Sequence, residues 1–163
     1  HSRVRRQRQM CIRDRLIREN NGLIPFVKNY DGDYLNFIDV ALSFLGNTQE
    51  FDEELFALIT AISGSGPAWF YELSNQLVNS ATKLGMNEND ATNLIKGLIK
   101  ALPNLINEDD TFDELVNKVK SPKGTTEAGL NSLIVDNFDN IIFNAIRQAT
   151  NRSIEISTEL KNE

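Results

Sequence analysis

From Tyr34 to Ile154 the apolar residues of this chain recur three and four positions apart, the spacing of one face of an α-helix. The chain is therefore read as mainly α-helical. Tyr34, Phe37, Ile38, Ala41, Leu42 and Leu45 make a first stripe, opened by Asp33 as N-cap and closed by Gly46. Asp52 is expected to cap the next helix, with Glu53 and Glu54 at the positive end of its dipole and Leu55, Leu58, Ile59 and Ile62 as its buried face. Ser63-Gly64-Ser65-Gly66-Pro67 breaks the pattern and predicts a long helix restarting at Pro67, which proline tolerates in a first turn, and stopping at Gly85. Asn87 caps a helix that Pro103 should kink or end near Ile99. Thr111-Phe112-Asp113-Glu114 has the form of a capping box. The loop Ser121–Thr126 feeds a helix from Glu127 to about Val135, and Asp139 is expected to open the last one.

Upstream, Leu23–Lys28 reads as a short extended stretch ended by the turn cluster Asn29-Tyr30-Asp31-Gly32. Several helices are apolar on more than one face: Phe70, Tyr71, Leu73, Leu77 and Val78 cannot all point into one small core. A second buried surface follows, most simply that of a two-fold dimer.

Charge divides the chain. Of its 17 Lys and Arg and 23 Asp and Glu, seven arginines (Arg3, Arg5, Arg6, Arg8, Arg13, Arg15, Arg18) but only Asp14 and Glu19 fall in residues 1–20. No arginine then occurs until Arg147. Residues 1–20 are expected to be a basic tail, foreign to the body or disordered, with an arm for nucleic acid or acidic lipid as the alternative. The body is too acidic to favour such an arm, so neither nucleic acid nor membrane is expected as a partner, and the cytoplasm is the expected location. Cys11 and His1 are the sole Cys and His. That excludes zinc ligation, Cys/His and Ser/His/Asp catalysis and an internal disulfide. No metal is expected, and Glu108-Asp109-Asp110 reads as a solvated loop, since adjacent acids do not converge on one ion without a fixed turn.

Chemistry must then come from hydroxyls, Lys, carboxylates, backbone or a cofactor, and two segments of small residues offer it. Gly64-Ser65-Gly66 invites comparison with the dinucleotide fingerprint but fails it: Trp69 stands where the third glycine would fall, and a helix precedes it instead of a strand. A tight bend between closely crossing helices and a site remain equally open. Ser121–Thr126 precedes a helix start, where unpaired N–H groups and the helix dipole favour an anion, with Lys123 adding charge. A carboxylate suits it, since the triphosphate-cradling spacing is missing. The plainer reading is that Thr125 or Thr126 is an ordinary N-cap.

Together the segments carry a resemblance. Thr60-Ala61-Ile62-Ser63-Gly64-Ser65-Gly66-Pro67-Ala68-Trp69-Phe70, then Lys83-Leu84-Gly85, then Val119-Lys120-Ser121-Pro122-Lys123-Gly124-Thr125-Thr126-Glu127-Ala128-Gly129-Leu130 resembles the C-terminal domain of pyrroline-5-carboxylate reductases. The order and spacing match over roughly residues 52–157. The resemblance implies a helical dimerisation domain of the 6-phosphogluconate-dehydrogenase C-terminal type over 52–163, preceded by a strand–helix–strand remnant of a Rossmann domain over 21–51. It implies reduction of 1-pyrroline-5-carboxylate to L-proline with NADP or NAD as cofactor, an active site at the interface of a homodimer, and possible assembly into a decamer. It implies substrate-carboxylate binding by Ser121, Lys123, Gly124, Thr125 and Thr126. Thr126 would also be the catalytic residue, near the ring nitrogen, and Thr60, Ser63, Gly64, Ser65, Gly66 and Pro67 would lie beside the nicotinamide.

Three departures qualify this. Nearly all of the Rossmann domain is missing, so the chain is expected to be a truncated enzyme, inactive alone. Lys123 stands where the family usually has Gly, and if that backbone needs positive φ the cost is on the order of 1 kcal/mol. Lys120 replaces a small hydroxyl residue and Glu127 an apolar or small one, so that Glu127 is expected to oppose substrate binding. A non-catalytic oligomerisation or regulatory module of the same fold is the alternative.

Overall fold

The computed structural model describes residues 23–26, 47–107 and 109–161. Two strands, β1 (Leu23–Phe26) and β2 (Asn47–Glu50), pair in parallel, with Leu23 opposite Asn47 and Phe26 opposite Glu50. The Phe51 N–H extends the ladder by donating to the Phe26 carbonyl at 2.9 Å. Parallel strands need a crossover connection. Residues 27–46 link the two strands in sequence; the helix expected there lies outside the described residues, as does the basic tail.

Helices follow. A 3-10 turn (Glu53–Leu55) leads into α1 (Phe56–Ile59), a π-helical turn (Thr60–Gly64) and α2 (Ser65–Lys83). Then come α3 (Glu88–Ala101), a 3-10 turn (Leu102–Leu105), α4 (Phe112–Val119), α5 (Thr125–Val135) and α6 (Phe138–Lys161). The chain divides into two compact units, one formed by residues up to Gly66 together with Ile146 onward, the other by Pro67–Ala145.

Most helix boundaries have the expected causes. α2 ends at Gly85, whose φ of 102° suits glycine. There the Met86 N–H donates to the Ala81 carbonyl and the Gly85 N–H to that of Thr82, each at 3.0 Å, which is a Schellman close. The Asn87 side chain caps α3 by accepting from the N–H groups of Asn89 and Asp90. Thr111 and Glu114 form the predicted capping box.

Four local expectations need correction. Ser63–Pro67 does not interrupt the helix: the backbone continues through the π turn, and α2 begins at Ser65. In a regular α-helix the Pro67 ring would press on the carbonyl four residues back, which is that of Ser63. Pro103 ends α3 at Ala101 and not near Ile99, because the Leu102 N–H still reaches the Leu98 carbonyl and only the next N–H is missing. Asp52 makes no side-chain cap; its carbonyl accepts from the Leu55 N–H at 3.0 Å. The last helix opens at Phe138, with Asp139 in its first turn.

Apolar burial within the chain is sparse. Among the described residues Ala61 and Ala91 are the buried apolar ones, and no large side chain is fully buried. Phe70 is 72% exposed, Tyr71 69%, Leu84 90% and Ile134 73%. Large apolar side chains left this exposed suit a site of association. In the second unit a hollow of about 730 Å³ is lined by Val116, Lys120, Leu130, Leu133, Ile134 and Phe138, among others. Among the described residues no helix is long and apolar enough to cross a membrane.

Candidate functional site

The residues Ser121–Thr126 are brought together by one tight turn. The Gly124 N–H donates to the Ser121 carbonyl at 3.0 Å. Pro122, at the first central position, has its φ fixed near −65°, and Lys123, at the second, has φ 58°. That combination is a type II turn, whose second central position favours glycine. Lys123 therefore occupies the conformation suspected from the sequence. Gly124 is needed for a different reason: its φ of −85° suits any residue, but a Cβ there would collide with the Ser121 hydroxyl and stand 2.9 Å from the Ser121 carbonyl oxygen.

The turn delivers the chain into α5, and Gly124 is the N-cap, not Thr125 or Thr126. Gly124 supplies no capping side chain, and its carbonyl accepts from the Ala128 N–H at 3.2 Å. Thr125, Thr126 and Glu127 are then the first three helical residues, whose N–H groups have no acceptor within the helix. The Lys123 and Gly124 N–H groups are already engaged, so the anion-ready donors are those of Thr125, Thr126 and Glu127. The Ser121 side chain is exposed and Thr126 half-buried, with Thr125 between them at the helix start.

Glu127 does not simply face the loop as a repulsive charge. Its Oε2 accepts from the Lys123 N–H at 2.8 Å, and its Oε1 lies 3.4 Å from Lys120 Nζ. The Lys123 N–H first, and then Lys120, hold its carboxyl below the usual range. Asp110 likewise gains partners, accepting from Lys118 and from the Asn107 amide. Sequence reasoning had no signal for this pairing, because Lys118 lies two turns of chain away on α4.

Thr60, Ser63 and Gly64 belong to the π turn, and Ser65, Gly66 and Pro67 open α2. The Ser63 hydroxyl donates to the Ile59 carbonyl at 2.8 Å, and Gly66 is buried, although a Cβ there would meet nothing within 4 Å. Close helix crossing therefore does not explain that glycine. π turns within helices are frequent at functional sites. The segment has small side chains, with Ser63 and Gly64 exposed, and it follows a helix instead of the strand that precedes a dinucleotide phosphate cradle.

Helices with uncovered apolar faces are those of a helical domain that associates through them. Residues 53–156 match the model of the family described as pyrroline-5-carboxylate reductase dimerisation, and the chain belongs to that family. The pyrroline-5-carboxylate reductase of Staphylococcus epidermidis is 33% identical over 135 residues, covering 82% of this chain and 50% of that protein. A solved pyrroline-5-carboxylate reductase from Coxiella burnetii superposes with a TM-score of 0.70 at 26% identity, covering 82% of this chain and 51% of that one. The Plasmodium falciparum pyrroline carboxylate reductase, solved with NADP bound, gives a TM-score of 0.63 at 28% identity over 79% of this chain and 51% of that one. The chain thus spans about half the length of the curated relatives it matches.

Proposed function

We propose that this chain is the dimerisation and substrate-holding half of a pyrroline-5-carboxylate reductase, which makes L-proline in the last step of its biosynthesis. The observation that carries this reading is the type II turn Ser121–Gly124, which opens α5 without a side-chain cap and leaves the Thr125, Thr126 and Glu127 N–H groups for a carboxylate. The Ser121 hydroxyl and the Lys123 charge complete the grip. Thr126 is assigned to the ring nitrogen, where its hydroxyl orients the imine or relays its proton.

Bound in its reduced form, NADPH or NADH would supply a hydride to the imine carbon and be left as NADP+ or NAD+. The protonated imine nitrogen keeps its proton and becomes the amine of proline. A protonated imine is already electrophilic, so this chain's residues need chiefly to position it, and a chain whose single His is His1 can do so. Thr60, Ser63, Gly64, Ser65, Gly66 and Pro67 are assigned to the nicotinamide. Residues 21–51 are assigned to the end of the nucleotide-binding domain and 52–163 to the helical domain, with the tail 1–20 outside both. We place the protein in the cytoplasm as a homodimer, open to further assembly.

The test is to fuse residues 21–163 to the nucleotide-binding half of a relative and follow NADPH oxidation with 1-pyrroline-5-carboxylate. Imine-dependent oxidation is expected. A folded, dimeric, nucleotide-binding fusion without turnover would overturn the proposal and leave the non-catalytic module.

A further inference from the structure

The structure joins Glu127 to Lys123. In a capping box the acid at the third helical position reaches back to the N-cap N–H. Glu127 occupies that position in α5, but the N-cap N–H, that of Gly124, is already given to the Ser121 carbonyl. The carboxylate reaches one residue further back and takes the Lys123 N–H at 2.8 Å. Lys123 is the residue held left-handed, at φ 58°, which side chains with a Cβ avoid. A single acceptor thus ties the strained position of the turn to the first turn of the helix. Lys120, 3.4 Å from the other carboxylate oxygen, offsets the negative charge that Glu127 would bring next to an anion site.

We infer that Glu127 is a positioning residue of the carboxylate loop: it holds Lys123 in the left-handed conformation that favours glycine, while Lys120 neutralises it. This rests on the reading of Ser121–Thr126 as a carboxylate site. On this account the charges are matched parts of one device, and neither signals lost function. The contrary view is that Glu127 is an internal carboxylate that competes with the substrate's own.

The 163-residue chain and its variants decide between these by L-proline calorimetry and by hydrogen exchange of the Lys123 amide. Glu127→Ala is expected to weaken L-proline binding about tenfold and speed Lys123 exchange about tenfold. Glu127→Gln keeps an acceptor and should stay within about twofold of the parent in both. In a Lys123→Gly background, where glycine needs no holding, Glu127→Ala should change L-proline binding by less than about twofold. Tighter binding by Glu127→Ala alone, a tenfold loss in the Lys123→Gly background, or a tenfold loss in Glu127→Gln, would overturn the inference. If the parent chain itself binds no L-proline, the carboxylate reading fails. The exchange rates then still decide the positioning claim: loss in Glu127→Ala with retention in Glu127→Gln supports it, and equal rates overturn it.

Discussion

Gly124→Ala is the sharpest perturbation of the loop, because its cost has one identifiable source. The backbone at Gly124 accepts any residue, so no torsional penalty arises. The added Cβ would instead collide with the Ser121 hydroxyl and stand 2.9 Å from the Ser121 carbonyl oxygen. The hydroxyl can rotate away at about 0.5–1.5 kcal/mol if it leaves its rotamer well. The carbonyl cannot retreat while it accepts the Gly124 N–H at 3.0 Å, so the turn bond must lengthen or break. That bond contributes roughly 0.5–1.5 kcal/mol. Together the substitution should cost about 2 kcal/mol, a fall of roughly 4–8 °C in Tm for a chain of this size. Thermal unfolding followed by circular dichroism measures it. Ser121→Ala removes the hydroxyl but leaves the carbonyl, so the double variant should recover less than half of the loss. An unchanged Tm in Gly124→Ala, or full recovery in the double variant, would refute the reasoning.

Other outcomes follow from the same structure. Phe70→Asp places a charge on a face that is 72% exposed in the single chain, and sedimentation should show the dimer shifting to monomer; an unaltered dimer would remove Phe70 from the interface. Thr111→Ala deletes the capping box of α4 and should cost about 1 kcal/mol in urea unfolding, whereas no loss would mean that α4 does not depend on its cap. Asp110, Glu114 and Glu127 have lowered pKa values, owing chiefly to Lys118, the Thr111 N–H and the Lys123 N–H respectively. The unfolded chain therefore binds more protons in this range, so their stabilisation is complete above the ordinary carboxylate range and is lost as pH falls through the lowered values. Tm measured from pH 7 downward should hold to about pH 5 and then decline, and a rise on acidification would contradict the assigned partners.

Much of the helical architecture could be read from the sequence because local chemistry sets it. Gly85, Asn87 and the Thr111–Glu114 box act within a few residues of their own backbone, and the structure uses each as expected. The misplaced boundaries fall at the prolines: Pro67 reads as the first turn of a restarted helix and Pro103 as a break near Ile99, but the backbone stays helical through a π turn before Pro67 and into a 3-10 turn at Pro103. At the loop before α5, Lys123 has the positive φ considered for it from the sequence. What could not be read was the traffic of hydrogen bonds. Thr125 and Thr126 looked like caps because their side chains suit the role, yet the turn places Gly124 there instead. Glu127 looked like a repulsive charge because its tie to the Lys123 N–H and its pairing with Lys120 depend on three-dimensional closure.

The claim that the start of α5 holds a carboxylate is tested most directly by backbone amide spectra of the chain titrated with L-proline and, separately, with L-prolinol, which replaces the carboxylate by an alcohol. The account predicts saturable shifts of the Thr125, Thr126 and Glu127 amides with L-proline, much weaker ones with L-prolinol, and loss of the response in Thr126→Ala. Equal responses to both ligands, or shifts that bypass those amides, would contradict it.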